Sequence, residues 1–223
     1  MTDRPTLLLV HGAWHGAWAW EPLQTELASR GWDVRALDLP TVHADDPRGL
    51  NMTDDADAIA AAIDEIGGPV AVVAHSYGGV PTTQGATSDS VVHIVYVAAF
   101  VLDEGESLLG SVGGVAPSWW VVESPLFFGD VDEDTAAEAV GRLKAQSSAA
   151  FSDEVTTVAW REKPTTYVIT EQDVIFPLPA QEALAARSGS TAVRMDTSHS
   201  PFLSKPPRPR GRRPGHHRGS RRP

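Results

Sequence analysis

The run Val70-Ala71-Val72-Val73-Ala74 contains no polar residue and passes directly into His75-Ser76-Tyr77-Gly78-Gly79. An apolar run of this length without alternation reads as a strand buried on both faces, which requires a sheet covered on both sides. The abrupt change of composition after it reads as a tight turn into a helix. A serine held in such a turn projects its hydroxyl beyond the sheet edge. Small residues two places before and after it, here Ala74 and Gly78, let the backbone close the turn. The usual pattern has glycine at both places, so Ala74 adds one methyl. An ordinary strand-to-helix turn that happens to hold a serine is the bland alternative, and short motifs recur by chance.

The rest of the chain repeats the same rhythm. Apolar runs at residues 6–10, 32–37, 91–99, 166–170 and 191–195 read as further strands. Between them lie helical patterns: a stripe of Leu23, Leu27 and Ala28 ending at Gly31, a segment capped by Thr53 with Ile59, Ala62, Ile63 and Ile66 on one face, a weak helix over 77–87, and another over 179–187. Strands alternating with helices predict an α/β fold with a mostly parallel sheet covered by helices on both faces. Residues 103–160 break the alternation with Gly113-Gly114, Trp119-Trp120, Phe127-Phe128 and a helix near 135–146. So long an insertion between two strands reads as a helical lid on a domain spanning residues 1–204.

An activated serine needs a base, and the base needs an acid to fix its tautomer and stabilise its cation. Where a strand–serine–helix turn belongs to such a set, the chain order is Ser, acid, His, each after a strand. Asp173 follows the strand at 166–170, with Glu171 as a near rival, and His199 follows the strand at 191–195, with Asp196 close by. The expected catalytic set is Ser76, Asp173 and His199. The oxyanion of acyl transfer needs two backbone N–H donors. Tyr77, next after the serine, and Ala13, in the loop that Gly12 allows to fold over the site, are the candidates. Gly12, Trp119, Trp120, Phe127 and Phe128 are candidate substrate-binding residues, the aromatics serving equally well as lid packing. His11 and His15 would form a metal pair only on a helix, which Gly12 and Gly16 oppose, and no third ligand suggests itself. No metal and no cofactor are expected, and the glycines of 12–16 match no nucleotide loop.

Charge narrows the substrate. The formal net charge is −11, but residues 205–223 hold 8 of the 18 basic groups and no acid. Residues 1–204 therefore carry ten basic and 29 acidic groups, a net of −19. Such a body repels nucleic acid and disfavours anionic substrates at long range. The chain has no cysteine, no apolar stretch long enough to span a bilayer and no secretory leader, so a cytoplasmic protein without a membrane partner is expected. A homodimer is left open.

Taken together, His11-Gly-Ala-Trp-His-Gly-Ala-Trp18, Ala36-Leu-Asp-Leu-Pro40, Ala74-His-Ser-Tyr-Gly-Gly79, Val97-Ala-Ala-Phe100, Thr170-Glu-Gln-Asp173 and Ser198-His-Ser-Pro-Phe202 resemble the methylesterase and hydroxynitrile lyase branch of the α/β-hydrolases, over roughly residues 5–204. The resemblance implies a cofactor-free carboxylesterase in which Ser76, Asp173 and His199 form the triad. Lyases of the branch carry Thr after the loop histidine and Lys after the catalytic histidine. Here those places hold Gly12 and Ser200, which favours an esterase over a lyase, and with the acidic body the expected substrate is a small neutral ester. A weakly catalytic ligand-binding homologue is the second reading.

Family members close with an amphipathic helix. Residues 205–223 instead contain five prolines and no Leu, Ile, Val or Phe, so disorder or a loose lie on the acidic body is expected there. A change of reading frame near Lys205 would account for the replacement.

Overall fold

The structure is a computed structural model that describes residues 4–117, 120 and 125–204. Trp119 and the 205–223 tail, both singled out from the sequence, lie outside the described residues. Six parallel strands form one sheet in the order β2-β1-β3-β4-β5-β6: β1 Thr6–Val10, β2 Val34–Leu37, β3 Val70–His75, β4 Val91–Val97, β5 Thr165–Thr170 and β6 Thr191–Met195. The helices are α1 Glu21–Ser29, α2 Pro40–His43, α3 Met52–Ile66, α4 Gly79–Gly85, α5 Leu108–Ser111, α6 Glu133–Arg142 and α7 Leu178–Arg187. None of the helices among the described residues is long and apolar enough to cross a membrane.

Strand alternation divides the core. Leu8 and Val10 of β1 and Val70, Val72 and Ala74 of β3 face one side, joined by Ile59 and Ile63 of α3, Val80 of α4 and Ala185 of α7. Leu7 and Leu9 of β1 and Val73 of β3 face the other, where a smaller cluster gathers around Trp20 and Phe202 beside α1. Both faces are covered as the sequence predicts, but unequally: α1 buries no residue fully, and all five residues of β6 are exposed. An apolar run in a sheet covered on both faces predicts burial of β6. Being last in the sheet, the strand has a neighbour on one side only.

Several boundaries shift for local reasons. The cap of α3 is Asn51 rather than Thr53: its side chain accepts from Thr53 N–H at 2.9 Å, while Asp54 returns a bond to Asn51 N–H at 2.7 Å. This reciprocal box satisfies more free N–H groups than Thr53 would alone. Pro40, three residues after β2, opens α2, since a proline costs nothing in a first helical turn. The weak helix expected over 77–87 is shorter, Gly79–Gly85, and the one expected at 135–146 is Glu133–Arg142, capped by Asp132.

Candidate active site

At the end of β3 the backbone turns sharply, and Ser76 takes φ +51°, a conformation that costs a residue with a side chain about 1–2 kcal/mol. Close packing enforces the turn. A Cβ at Gly78 would run into the His11 carbonyl oxygen, and one at Gly79 into that of Phe100. The extra methyl of Ala74 is fully buried in the core, so that departure is absorbed by packing. Phe100 N–H donates to the Ser76 carbonyl at 3.1 Å, tying the turn to the segment after β4.

Because β5 and β6 are parallel neighbours, the loops leaving their C-terminal ends emerge side by side. Asp173 and His199 stand on those loops, and His199 Nδ1 lies 2.7 Å from Asp173 Oδ2, with both side chains buried. Asp173 Oδ1 also accepts from Ile175 N–H at 3.0 Å and Phe176 N–H at 2.9 Å. Thr170 donates its hydroxyl to Oδ2 at 3.0 Å. Burial pushes the Asp173 carboxyl up, but the facing His199 and these donors outweigh it and hold the group below its ordinary value. An ionised Asp173 accepts a hydrogen bond from His199 Nδ1–H, which keeps the proton on Nδ1 and leaves Nε2 with the lone pair. The rival acids are engaged elsewhere: Glu171 pairs with Arg194, and Asp196 accepts from Gln172.

The loop after β1 closes over this point. A Cβ at Gly12 would stand 2.8 Å from His75 Nδ1 and 3.0 Å from Ser76 Cβ. Only glycine lets the loop pass, and Trp14 beyond it adopts φ +62°. Ala13, Ser76, Tyr77 and His199 line one cavity enclosing about 440 Å³, mouth included, with Trp14, His15, Phe100, Leu108, Trp120, Phe127, Phe151, Ile175 and Phe176. Among the described residues, the N–H groups of Ala13 and Tyr77 take no part in the loop hydrogen bonds around it. Two of the four predicted aromatics, Trp120 and Phe127, form its wall. Phe128 is buried but does not; it packs against His15, ring centroids 5.6 Å apart. Phe151, Phe100 and Phe176 went unpredicted because they come from three distant segments, and nothing local marks them.

Three further histidines surround the site and are held neutral. Burial pushes His11 down to about 4 and His15 to about 3, and His75 well below its ordinary value. His75 Nε2 donates to the His199 carbonyl at 2.8 Å, so the residue before Ser76 anchors the histidine loop. His11 uses both nitrogens, Nδ1 toward the Gly12 carbonyl and Nε2 accepting from Leu39 N–H. His15 directs Nδ1 to the Ala13 carbonyl instead of pairing with His11. His11, Asp38 and His43 do approach within 4.8 Å of one another, but the bonds of His11 leave it no lone pair for a metal.

A polar chain runs beneath the cavity. Trp14 N–H donates to Gln146 Oε1 at 3.2 Å, Gln146 Nε2 to Thr41 Oγ1 at 2.9 Å, and Thr41 Oγ1 to Asp55 Oδ2 at 2.7 Å. Tyr77 OH donates to the same Asp55 oxygen at 2.7 Å. Burial pushes the Asp55 carboxyl up to about 6, against the bonds from Thr41 and Tyr77 that favour its ionised form. Its folded value lies above the ordinary 3.8, so the stabilisation it gives is complete below that value and lost as pH rises through about 6. Asp55→Asn does not titrate. The melting temperature of the wild type should therefore fall against that of Asp55→Asn by several degrees between about pH 4 and about pH 7, then stay level. A pH-independent gap would mean that Asp55 ionises without penalty.

A sequence profile of the alpha/beta hydrolase family matches residues 7–209. The chain is 27% identical to a probable hydrolase of Phoma sp., over 91% of this chain and 94% of that one. Among solved structures it is similar to a methylesterase from Arabidopsis, with a TM-score of 0.75 and 23% identity over 91% of this chain and 94% of that one. It is also similar to polyneuridine aldehyde esterase, with a TM-score of 0.77 and 19% identity over 91% and 95%. At these identities the two structures establish the fold alone.

Proposed function

We propose, for a chain that belongs to the alpha/beta hydrolase family, that this hydrolase is a serine carboxylesterase cleaving small neutral esters through an acyl-enzyme. One observation carries the reading: His199, paired with buried Asp173 at 2.7 Å, lines the same cavity as Ser76, which is held at φ +51°. In this mechanism Ser76 Oγ attacks the ester carbonyl carbon and its proton passes to His199 Nε2. Asp173 holds the imidazole in the required tautomer and stabilises its cation. The carbonyl oxygen gains the negative charge, which the N–H groups of Ala13 and Tyr77 receive. The bond to the leaving oxygen then breaks, His199 returns the proton to the alcohol, and water repeats the sequence on the acyl-enzyme.

The cavity wall supports a neutral ester. Trp14, Phe100, Trp120, Phe127, Phe151 and Phe176 offer apolar rings, and its histidines other than His199 offer no cation, His15 being pushed down to about 3. The lyase reading loses further ground, because a threonine at Gly12 would place its Cβ 2.8 Å from His75 Nδ1. Residues 103–160, which supply Leu108, Trp120, Phe127 and Phe151 to the wall, act in this reading as the lid of a single domain over residues 1–204.

A fluorophosphonate probe, followed by peptide mapping, tests the reading directly. Expected are labelling at Ser76, its loss in Ser76→Ala, and turnover of methyl and aryl esters by the wild type. No labelling of the folded wild type would leave a ligand-binding protein instead.

A further inference from the structure

A second space adjoins the inner cavity across its aromatic wall. Phe100, Ile175 and Phe176 also line a second, open concavity of about 1140 Å³, open solvent at its mouth included, which runs outward between the segment after β4 and α7. The rings of Phe100 and Phe176 are stacked, centroids 4.6 Å apart and planes 19° apart, so one aromatic pair forms the partition between the two spaces. The outer floor is apolar, built from Leu102, Val112, Val174, Pro177, Ala180 and Leu184. Val174, next to Asp173, leaves 68% of its surface exposed at the rim. Among the described residues lining the groove, the charged side chains are Glu106 and Arg187, and they pair with each other. The groove therefore offers apolar contact without net charge. A contiguous exposed apolar surface of this kind, separated from a reactive cavity by one aromatic pair, is what a ligand arm would cover.

We infer that this groove is a subsite for an uncharged alkyl or aryl arm of the ester, reached past the Phe100–Phe176 pair. The inference rests on the ester-hydrolysis reading. The substrate it describes has two unequal arms. A short one is enclosed with the carbonyl beside Ser76, and a longer one leaves over the stacked rings onto Leu184 and Val174. The same contact serves an arm on the acyl side or on the alcohol side, and paired substrates separate the two.

The test compares methyl acetate with methyl octanoate for the acyl arm and with octyl acetate for the alcohol arm. One series should gain about two- to fourfold in kcat/KM per added methylene, chiefly through KM, as expected for burial of each added group. Ala183 is exposed on α7 and lines the groove, so Ala183→Trp fills it without disturbing the core. The long-to-short ratio of kcat/KM should fall at least about tenfold in this variant. Ala186 is exposed on the same helix but faces a different hollow beside β6, so Ala186→Trp should keep the wild-type ratio. No gain with length in either series, or equal ratios in the two tryptophan variants, overturns the proposal.

Methyl nonyl ketone keeps the carbonyl and the long arm but has no leaving group, so its binding is read without turnover. Wild type should bind it at least about tenfold more tightly than Ala183→Trp does. If no ester is hydrolysed yet this difference holds, the esterase reading fails and the groove stands. If esters are hydrolysed and the difference is absent, the groove fails alone.

Discussion

Replacing Ser76 with alanine is expected to lower kcat for small neutral esters by at least about 10³-fold while leaving the fold intact. The alanine keeps the Cβ already accommodated in the turn and removes only the hydroxyl of a residue that lines the cavity. His199→Ala should lose about as much. The double variant should be hardly worse than either single, because nucleophile and base act as one unit. Glycine at the same position adds a second readout. Ser76 stands at φ +51°, where glycine has no steric penalty, so Ser76→Gly should be equally inactive but melt higher than Ser76→Ala. Such a pairing would mark the strain as something retained for activity rather than stability. Purified, folded Ser76→Ala with substantial turnover would remove the mechanism. Equal melting temperatures for the two variants would show that the turn is not strained.

The placing of Ser76, Asp173 and His199 at one edge of the sheet was legible in the sequence because each follows an apolar run that reads as a strand, and parallel strands deliver their following loops to one edge. Geometry then decided among the three acids, since Asp173 alone among them reaches His199. What stayed illegible depends on long-range packing. Phe151 and Phe176 are ordinary aromatics in sequence, and only the fold turns them toward Ser76. Nothing in the sequence gives His75 a role, yet it bonds to the His199 carbonyl across 124 positions of chain. The cap of α3 was misplaced for a local reason: Asn51 and Thr53 are both good caps, and reciprocity with Asp54 selects the former. The exposure of β6 is of a different kind, because an apolar run records what a strand prefers and not whether a neighbour covers it.

Gln146 is the least conspicuous residue with a large expected effect. It joins two segments that the mechanism needs in register: the loop carrying Ala13, through Trp14 N–H, and the turn carrying Tyr77, through Thr41 and Asp55. The backbone of its own segment holds the same partners, with Lys144 N–H on the Trp14 carbonyl and Ser147 N–H on the Thr41 carbonyl, each at 2.9 Å. If Ala13 and Tyr77 receive the oxyanion, their relative position sets how well developing charge is met. Loss of one donor from such a site costs about 10²–10³-fold, so loosening one should cost somewhat less. Gln146→Leu keeps the volume but removes both bonds. It should lower kcat by roughly 10- to 100-fold with KM little changed, because the ground-state ester does not depend on the oxyanion donors. Affinity for an alkyl boronic acid, whose adduct with Ser76 carries the tetrahedral charge, should fall in parallel. Gln146→Glu retains an acceptor for Trp14 N–H and should recover part of both losses. A purely structural role would instead lower melting temperature and raise KM, leaving the ratio of boronate to substrate affinity unchanged. That outcome would place Gln146 outside the chemistry.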